Sequence, residues 1–437
     1  MSQIIFIPVE TDLNETRVAA TPETVKKLIG HGFKIIVESG AGTASRITDQ
    51  AYTDAGAVIG KTTDIKTADI ILKLRRPSLT ELKNYKTGAV LIAMLDPYGH
   101  EDSVAAIAQA GLSAFTMEFM PRITRAQVMD VLSSQANLAG YQAVIDAAAE
   151  YDRAMPMMMT AAGTVPAAKV FVMGAGVAGL QAIATARRLG AVVTATDVRP
   201  AAKEQVASLG AKFVAVEDEE FKAAETAGGY AKEMSKDYQA KQAALVADHI
   251  AKQDIVITTA LIPGRAAPRL VSAAMVASMK PGSVLVDLAI ERGGNVEGAV
   301  AGQVVEKDGV KIIGHMNTAG RIAASASQLY ARNLFAFLET LINKDTKQVA
   351  VNLDDELVKA TVLTHQGAIV HPAFAHAAVA ADKAKPAVEA DAAEKPAPKK
   401  VPVKKAAPKK PAEVKAAVKP AAKPAVRKKA ANKGDEA

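Results

Sequence analysis

Residues 169–197 leave this chain few folds to choose from. Lys169–Met173 (KVFVM) is a short apolar run rich in β-branched residues, and it feeds straight into Gly174-Ala175-Gly176-Val177-Ala178-Gly179. A helix-forming stretch, Leu180 to Leu189, follows. Gly190 then gives way to a second apolar run, Ala191–Thr196, which ends at Asp197. Strand, glycine turn, helix, strand and acid in that order make a dinucleotide-binding βαβ unit. Gly174 permits the tight turn, Gly176 lets a pyrophosphate approach the backbone, and Gly179 lets helix and strand pack closely. The phosphates would rest on the free N–H groups and positive end of the new helix. Asp197 stands where a carboxylate accepts hydrogen bonds from a ribose 2′-OH and repels a 2′-phosphate, which favours NAD over NADP. Arg199 bears the other way, since a nearby arginine can pair with a 2′-phosphate. Asp197 is given precedence because it sits at the strand end itself.

Alternation of the same kind precedes the unit. Gln3–Pro8 is apolar, and Thr21-Pro22-Glu23 opens a helix with a cap, a proline and an early acid. That helix stops at Gly30, and Phe33–Val37 reads as the next strand. Ser39–Gly42 turns and Ile47–Ala55 reads as helix, while Ile70–Leu74, Ala89–Leu95 and Leu112–Met117 read as buried strands. The pattern predicts a parallel sheet covered on both faces and complete by about residue 120. Residues 133–151 form a long Ala-rich helix, which Arg153–Pro166 breaks with methionines, a glycine and two prolines. Strands at Phe213–Val216, Ile255–Thr259, Ser283–Leu288 and Ile312–Gly314 continue the nucleotide unit, and Arg321–Leu341 is a long helix crossing back. The expected fold is α/β: two Rossmann-like doubly wound parallel-sheet domains joined by long helices, plus a disordered basic C-terminal tail. The expected division is 1–135 with 335–376, then 136–334, then 377–437.

Two stretches stand outside this pattern. Residues 217–243 are charged and carry Gly228-Gly229 before Tyr230, so a surface insertion and a lid over the nucleotide are equally supported. Residues 381–437 hold 16 Lys and Arg against 7 Asp and Glu, a net of +9, which leaves −2 on residues 1–380. The overall charge of +7 therefore belongs to the tail. A composition of Ala, Lys and Pro builds no core. Such a cationic segment suits a solvated tether or an anionic lipid surface better than nucleic acid, for which it offers no aromatic stacking.

The chain has no cysteine, which excludes disulfides and thiolate metal sites and suits a reducing compartment. No run reaches about 18 uninterrupted apolar residues, and the first residues carry no basic leader, so neither a membrane span nor a secretory signal is expected.

With these stretches laid out, residues 1 to about 375 closely resemble domain I, the NAD(H)-binding polypeptide of the split alpha subunit, of proton-translocating NAD(P) transhydrogenases. The resemblance is carried by Glu15–Pro22 (ETRVAATP), Met120–Gln135 (MPRITRAQVMDVLSSQ), Gly174–Leu180, Thr196–Pro200 (TDVRP) and Ala227–Ala231 (AGGYA). Alanine dehydrogenases share the two-domain fold, and share Arg17-Val18-Ala19, Lys280-Pro281-Gly282 and Val286–Ile290 in kind. The resemblance implies a cofactor-binding set of Gly174, Gly176, Val177, Ala178, Gly179, Asp197, Val198, Arg199, Tyr230, Ala260 and Leu261. It also implies that Arg122, Gln127, Asp130 and Ser133 surround the nicotinamide half as the catalytic set, with Gln127 reaching toward a second nucleotide. The spacing 127, 130, 133 places three polar side chains near one face of a helix start; the competing reading is a helix start with Asp and Ser as caps.

Chemistry separates the two branches. Reducing a ketone or imine needs a proton donor and a group that polarises the double bond. In alanine dehydrogenases a lysine two positions before a proline, and a histidine on the next strand, serve the substrate. Here those positions correspond to Arg75, which cannot donate a proton, and Asp96, ionised at an ordinary pKa. Hydride passage between two nicotinamides needs no acid or base, only two rings held face to face with water excluded. The resemblance therefore implies hydride transfer from NADH on this chain to NADP⁺ on a partner beta subunit, coupled to proton translocation, with no metal. It further implies a homodimer, peripheral on the cytoplasmic side of the bacterial inner membrane. Its partners would be the separate membrane polypeptide of the alpha subunit and the beta subunit. The basic tail departs from the usual ending of this subunit. The alternative is an alanine dehydrogenase-like NAD-dependent amino-acid dehydrogenase.

Overall fold

The computed structural model describes residues 2–224, 234–262 and 264–374. All of these lie within one compact unit, Met1–Lys385. The strands are, in chain order, β1 (Ile4–Ile7), β2 (Lys34–Glu38), β3 (Val58–Gly60), β4 (Ile70–Leu72), β5 (Val90–Ala93), β6 (Ser113–Thr116), β7 (Met158–Thr160) and β8 (Gly163–Val165). They continue with β9 (Lys169–Met173), β10 (Val192–Thr196), β11 (Lys212–Phe213), β12 (Ile255–Thr258), β13 (Val284–Asp287), β14 (Val304–Lys307), β15 (Val310–Ile313), β16 (Val362–His365) and β17 (Ala368–Ile369).

Two large sheets account for all but the β7–β8 pair. The first has the order β17-β16-β6-β5-β4-β1-β2-β3, and the second β11-β10-β9-β12-β13-β15-β14. In both, six strands run parallel and the chain starts in the middle, stepping one way and then the other. This is doubly wound α/β architecture, and it follows from the sequence: strands such as VFVM and IVIT are buried on both faces, which requires helices above and below. The strand ends β9 and β12 lie side by side where the order reverses, so a crevice opens beyond them.

Several expectations are corrected here. The first sheet is not complete by residue 120, because β16 returns antiparallel against β6 and β17 pairs antiparallel with β16 at the edge. Nor is the second sheet wholly parallel: β14 pairs antiparallel with β15 at the edge. Residues 153–166 are more than a helix breaker, since β7 and β8 form an exposed hairpin. The strand expected at 213–216 is confined to Lys212–Phe213. The stretch 217–243 is shorter as a loop than its composition suggests. Asp218 and Ser235 cap helices Glu219–Lys222 and Lys236–Ile250, which take up residues at both ends. Tyr230 and the expected tail, 377–437, lie outside the described residues.

Two long helices tie the sheets together. Val131–Glu150 begins against the first core, where Val131 packs, and ends in the second, with Ala143, Val144 and Ala147. Ala323–Leu341 sends Tyr330, Leu334, Phe337, Leu338 and Leu341 into the first core, and the Tyr330 hydroxyl donates to the Lys73 carbonyl at 2.8 Å. Gly140, midway along the first helix, lies against the next helix, Val177–Arg188. A Cβ there would stand 2.0 Å from the Ala178 carbonyl oxygen.

Candidate functional site

The glycine turn is built as its spacing predicts. Gly174 has φ +105, a region closed to most residues, and its N–H donates to the Thr196 carbonyl at 2.8 Å. A Cβ on Gly179 would meet the Gly174 carbonyl oxygen at 1.8 Å, so only glycine lets this helix reach the turn. Gly176 differs: a Cβ there would meet nothing within 4 Å, so the space before it is open. Gly176 is also the N-cap of Val177–Arg188 and provides no side-chain cap, which leaves the first N–H groups of that helix facing the same space. Open room plus uncapped N–H groups is what a pyrophosphate requires, so these residues fit a bound dinucleotide.

Val177, Val198 and Leu261, each just beyond the carboxyl end of a sheet strand, are exposed apolar side chains at the rim of this crevice. Ala178 and Ala260 are half-buried beside them. Fully buried Asn295 fixes Ala260: its amide oxygen accepts from the Ala260 N–H at 3.1 Å, and its NH₂ donates to the carbonyls of Ala260 (2.9 Å) and Pro268 (2.7 Å).

The Asp197 side chain is 7% exposed and heavily engaged. It accepts from the Ala175 N–H at 2.7 Å and the Arg199 N–H at 2.9 Å, while the Arg199 guanidinium takes both carboxylate oxygens at 2.9 Å. Burial pushes its carboxyl upward, but the Arg199 and Ala175 hydrogen bonds outweigh that and hold it below the ordinary range. The carboxylate therefore stays ionised at the crevice floor. Arg199 is directed at it, which bears against its serving a 2′-phosphate.

The four residues implied for the nicotinamide side share one segment but not one helix. Thr124–Met129 is a short 3₁₀ helix, and the α-helix starts afresh at Val131 with Asp130 as its cap. The spacing 127, 130, 133 thus spans two elements, because the cap breaks the helical periodicity between them. Asp130 and Ser133 are brought together: Asp130 accepts from the Ser133 N–H at 2.9 Å and from its hydroxyl at 2.5 Å. Gln127 and Arg122 are exposed on the preceding turns. Neighbouring Arg125 is bound instead to Asp355 through two contacts of 3.0 and 2.9 Å.

Arg75 and Asp96 are committed to other protein charges. Arg75 donates to Glu15 at 2.8 Å, and Glu15 is gripped by Arg17 at 2.6 Å. Burial raises the Glu15 carboxyl, yet Arg17 and Arg75 bring it below its ordinary value, so it is ionised. Asp96 pairs with Arg292. The nearby lysine, Lys73, offers no substitute proton donor, because it is 0% exposed and locked to Glu81 at 2.9 Å and Glu10 at 3.3 Å. Among the described residues no group of three or more His, Cys, Asp or Glu is placed to hold a metal.

Gly140, Asn295, Glu10 and Glu118 escaped sequence reasoning. Each matters through partners distant in the chain, and no local pattern marks them.

Comparison with known proteins agrees with this geometry. The family model "Alanine dehydrogenase/PNT, N-terminal domain" matches residues 6–139, and "Alanine dehydrogenase/PNT, C-terminal domain" matches 143–372. The chain is 56% identical over 377 residues to the first polypeptide of NAD(P) transhydrogenase subunit alpha from Rhodospirillum rubrum, covering 85% of this chain and 98% of that one. It is 33% identical over 300 residues to alanine dehydrogenase of Mycobacterium tuberculosis, covering 68% and 74%. The crystal structure of transhydrogenase from Sinorhizobium meliloti superposes with a TM-score of 0.78 at 68% identity, over 84% of this chain and 100% of that one. An L-alanine dehydrogenase structure superposes with a TM-score of 0.72 at 24% identity, over 86% and 99%, which speaks for the fold alone. The chain therefore belongs to the alanine dehydrogenase/PNT family, on the side of its transhydrogenase alpha subunits.

Proposed function

We propose that this chain is the NAD(H)-binding component of a proton-translocating transhydrogenase, passing hydride directly from NADH to NADP⁺ held by a partner beta subunit. The observation that carries the reading is the pairing of Arg75 with Glu15 and of Asp96 with Arg292, beside an intact dinucleotide turn. A coenzyme site whose Arg75 and Asp96 are committed to protein charges is suited to a reaction that needs no substrate acid at these positions.

The residues divide the work. The N–H groups at the start of Val177–Arg188 hold the pyrophosphate, and Gly176 gives them access to it. Asp197 accepts from the adenosine ribose and keeps a 2′-phosphate out. Gln127, Arg122, Asp130 and Ser133 orient the nicotinamide and its ribose, with Gln127 toward the second nucleotide. Val177, Val198 and Leu261 keep water from the crevice, and Tyr230 closes over it. Bound NADH supplies the hydride, and the NADP(H) site and proton path belong to the partner chains. No metal takes part.

The division into 1–135 with 335–376, 136–334 and 377–437 belongs to the same proposal. So does a homodimer, for which the β7–β8 hairpin supplies apolar surface: Met157, Met158, Met159 and Val165 are all exposed. The assembly sits peripherally on the cytoplasmic side of the inner membrane, with the membrane polypeptide of the alpha subunit and the beta subunit. Among the described residues no helix is long and apolar enough to cross a membrane. The tail contacts anionic lipid in preference to nucleic acid. Deleting residues 381–437 is expected to abolish salt-sensitive association with anionic vesicles; undiminished association would reject that role.

Equilibrium binding tests the coenzyme reading. NADH is expected to bind the purified chain far more tightly than NADPH. An amino-acid dehydrogenase would instead oxidise NADH with pyruvate and ammonia, and that turnover would overturn the proposal.

A further inference from the structure

The parallel strands β4 and β5 end side by side, and each end is pinned in the same way. Beyond β4, Glu10 accepts from the N–H groups of Leu74 (2.6 Å) and Arg75 (3.3 Å). Beyond β5, Glu118 accepts from the N–H groups of Leu95 (3.1 Å) and Asp96 (2.7 Å), while Arg76 donates to the carbonyls of Leu95 (2.7 Å) and Asp96 (2.8 Å). The two strand ends present opposite charges, Arg75 and Asp96, to two consecutive residues beyond β13 of the other sheet. Arg75 faces Glu291 at 3.7 Å, and Asp96 meets Arg292.

The geometry is held on both sides at a conformational cost. Asp96 has φ +46, disfavoured for a side chain with a Cβ, and Glu118 and Arg76 between them fix its peptide on both faces. Opposite, fully buried Asp287 accepts from Ala289 and Val296 N–H groups at 2.9 Å each, setting the turn that carries Glu291 and Arg292. Asn317, also left-handed at φ +46, donates its N–H to Glu291 at 2.7 Å and its side chain to Glu15 at 3.0 Å. Asp and Asn tolerate the left-handed region best among residues with a Cβ, and here these hydrogen bonds hold one such residue on each side of the contact.

We propose that Arg75, Asp96, Glu291 and Arg292 form an interdomain clasp, aimed by Glu10 and Glu118, that keeps the cleft at one width whether or not coenzyme is bound. These are positioning residues. Half-exposed ion pairs contribute little affinity, but a crossed pair of opposite charges fixes orientation. The role rests on the function proposed above. An enzyme acting on a small metabolite gains by closing its domains over it. A chain offering hydride to a ring on another protein gains by holding its own ring at a constant depth.

The absence of native cysteine makes the test clean. Lys83→Cys, at the exposed C-cap of helix Leu79–Leu82 beside the first sheet, and Gln205→Cys, exposed on helix Ala202–Ser208 beside the second, take a pair of spin labels whose separation is read by pulsed dipolar spectroscopy. One narrow distance distribution is expected, unchanged by NADH. Arg292→Ala should broaden it or add a second population, and Arg292→Lys should restore the narrow form. With the beta subunit added, Arg292→Ala should lower the hydride-transfer rate at least several-fold while the NADH Kd moves less than twofold. An Arg292→Ala distribution as narrow as the parent's, or a parent distribution that shifts on NADH binding, overturns the clasp. Because the distances are read without turnover, a parent chain that transfers no hydride would reject the proposed function and leave the clasp separately judged.

Discussion

Replacing Gly140 by alanine should weaken both the fold and coenzyme binding, against the usual effect of that change in a helix. Alanine is favoured over glycine in a helix interior by about 1 kcal/mol. Here, however, the new Cβ would stand 2.0 Å from the Ala178 carbonyl oxygen, 2.8 Å from its carbon and 3.0 Å from its Cα. Ordinary contacts lie at about 3.5 Å, so the helices must separate by roughly 1 Å or more. Overpacking of this kind costs about 1–3 kcal/mol, which outweighs or cancels the propensity gain. The displaced element is Val177–Arg188, whose first N–H groups face the open space before Gly176. Losing one charge-assisted hydrogen bond there costs about 1.5–3 kcal/mol, a loss of roughly 10- to 150-fold in NADH affinity. Gly30, the last residue of helix Pro22–Gly30, is the control, since a Cβ there meets nothing within 4 Å. Gly30→Ala should be neutral or slightly stabilising and leave binding unchanged. Urea unfolding followed by circular dichroism reads stability, and NADH fluorescence reads binding in a chain free of tryptophan. A Gly140→Ala chain as stable as the parent, with the parent's NADH affinity, would refute the reasoning.

Other outcomes follow from the same geometry. Gly176→Ala should leave stability within about 0.5 kcal/mol, because its Cβ enters open space, yet weaken NADH at least tenfold; a stability loss with intact binding would show the space belongs to the fold. Asp197→Asn removes the charge that repels a 2′-phosphate and loosens Arg199, so the ratio of NADPH to NADH affinity should rise about tenfold or more, measured by parallel titrations. The Asp197 carboxyl is depressed in the fold, so its stabilising contribution is complete above the ordinary carboxylate range and lost only as pH falls through the depressed value. NADH affinity should accordingly stay flat from about pH 8 to pH 5; a decline centred near pH 6 would contradict it.

What was legible in the sequence was whatever a short window determines. KVFVM, the glycines and Asp197 carry their roles within a single βαβ unit, so strand, turn and acid emerged in the expected places. β16 and β17 did not, since VLTH and AI are too short and mixed to signal strands before β6 offers an edge to β16, and β16 in turn to β17. The β7–β8 hairpin was obscured because its methionines face outward and show no alternation of burial. Asp130 and Ser133 drew attention as a polar face, while their visible bonds are those of a helix cap, one of the two readings the spacing left open. Asn295 lies in GGNV, where nothing local announces that it will bind Ala260, which is 35 positions away. Asp96 and Arg292 are ordinary charges until the fold sets them face to face across 196 residues.

The most direct measurement follows one deuterium. NADH labelled at the transferring position is mixed with this chain and an NADP⁺-loaded beta subunit, and the product is analysed by mass spectrometry. The account predicts NADPH carrying the label, with none lost to water. Unlabelled NADPH, or NADH consumed only when pyruvate and ammonia are supplied, would contradict it.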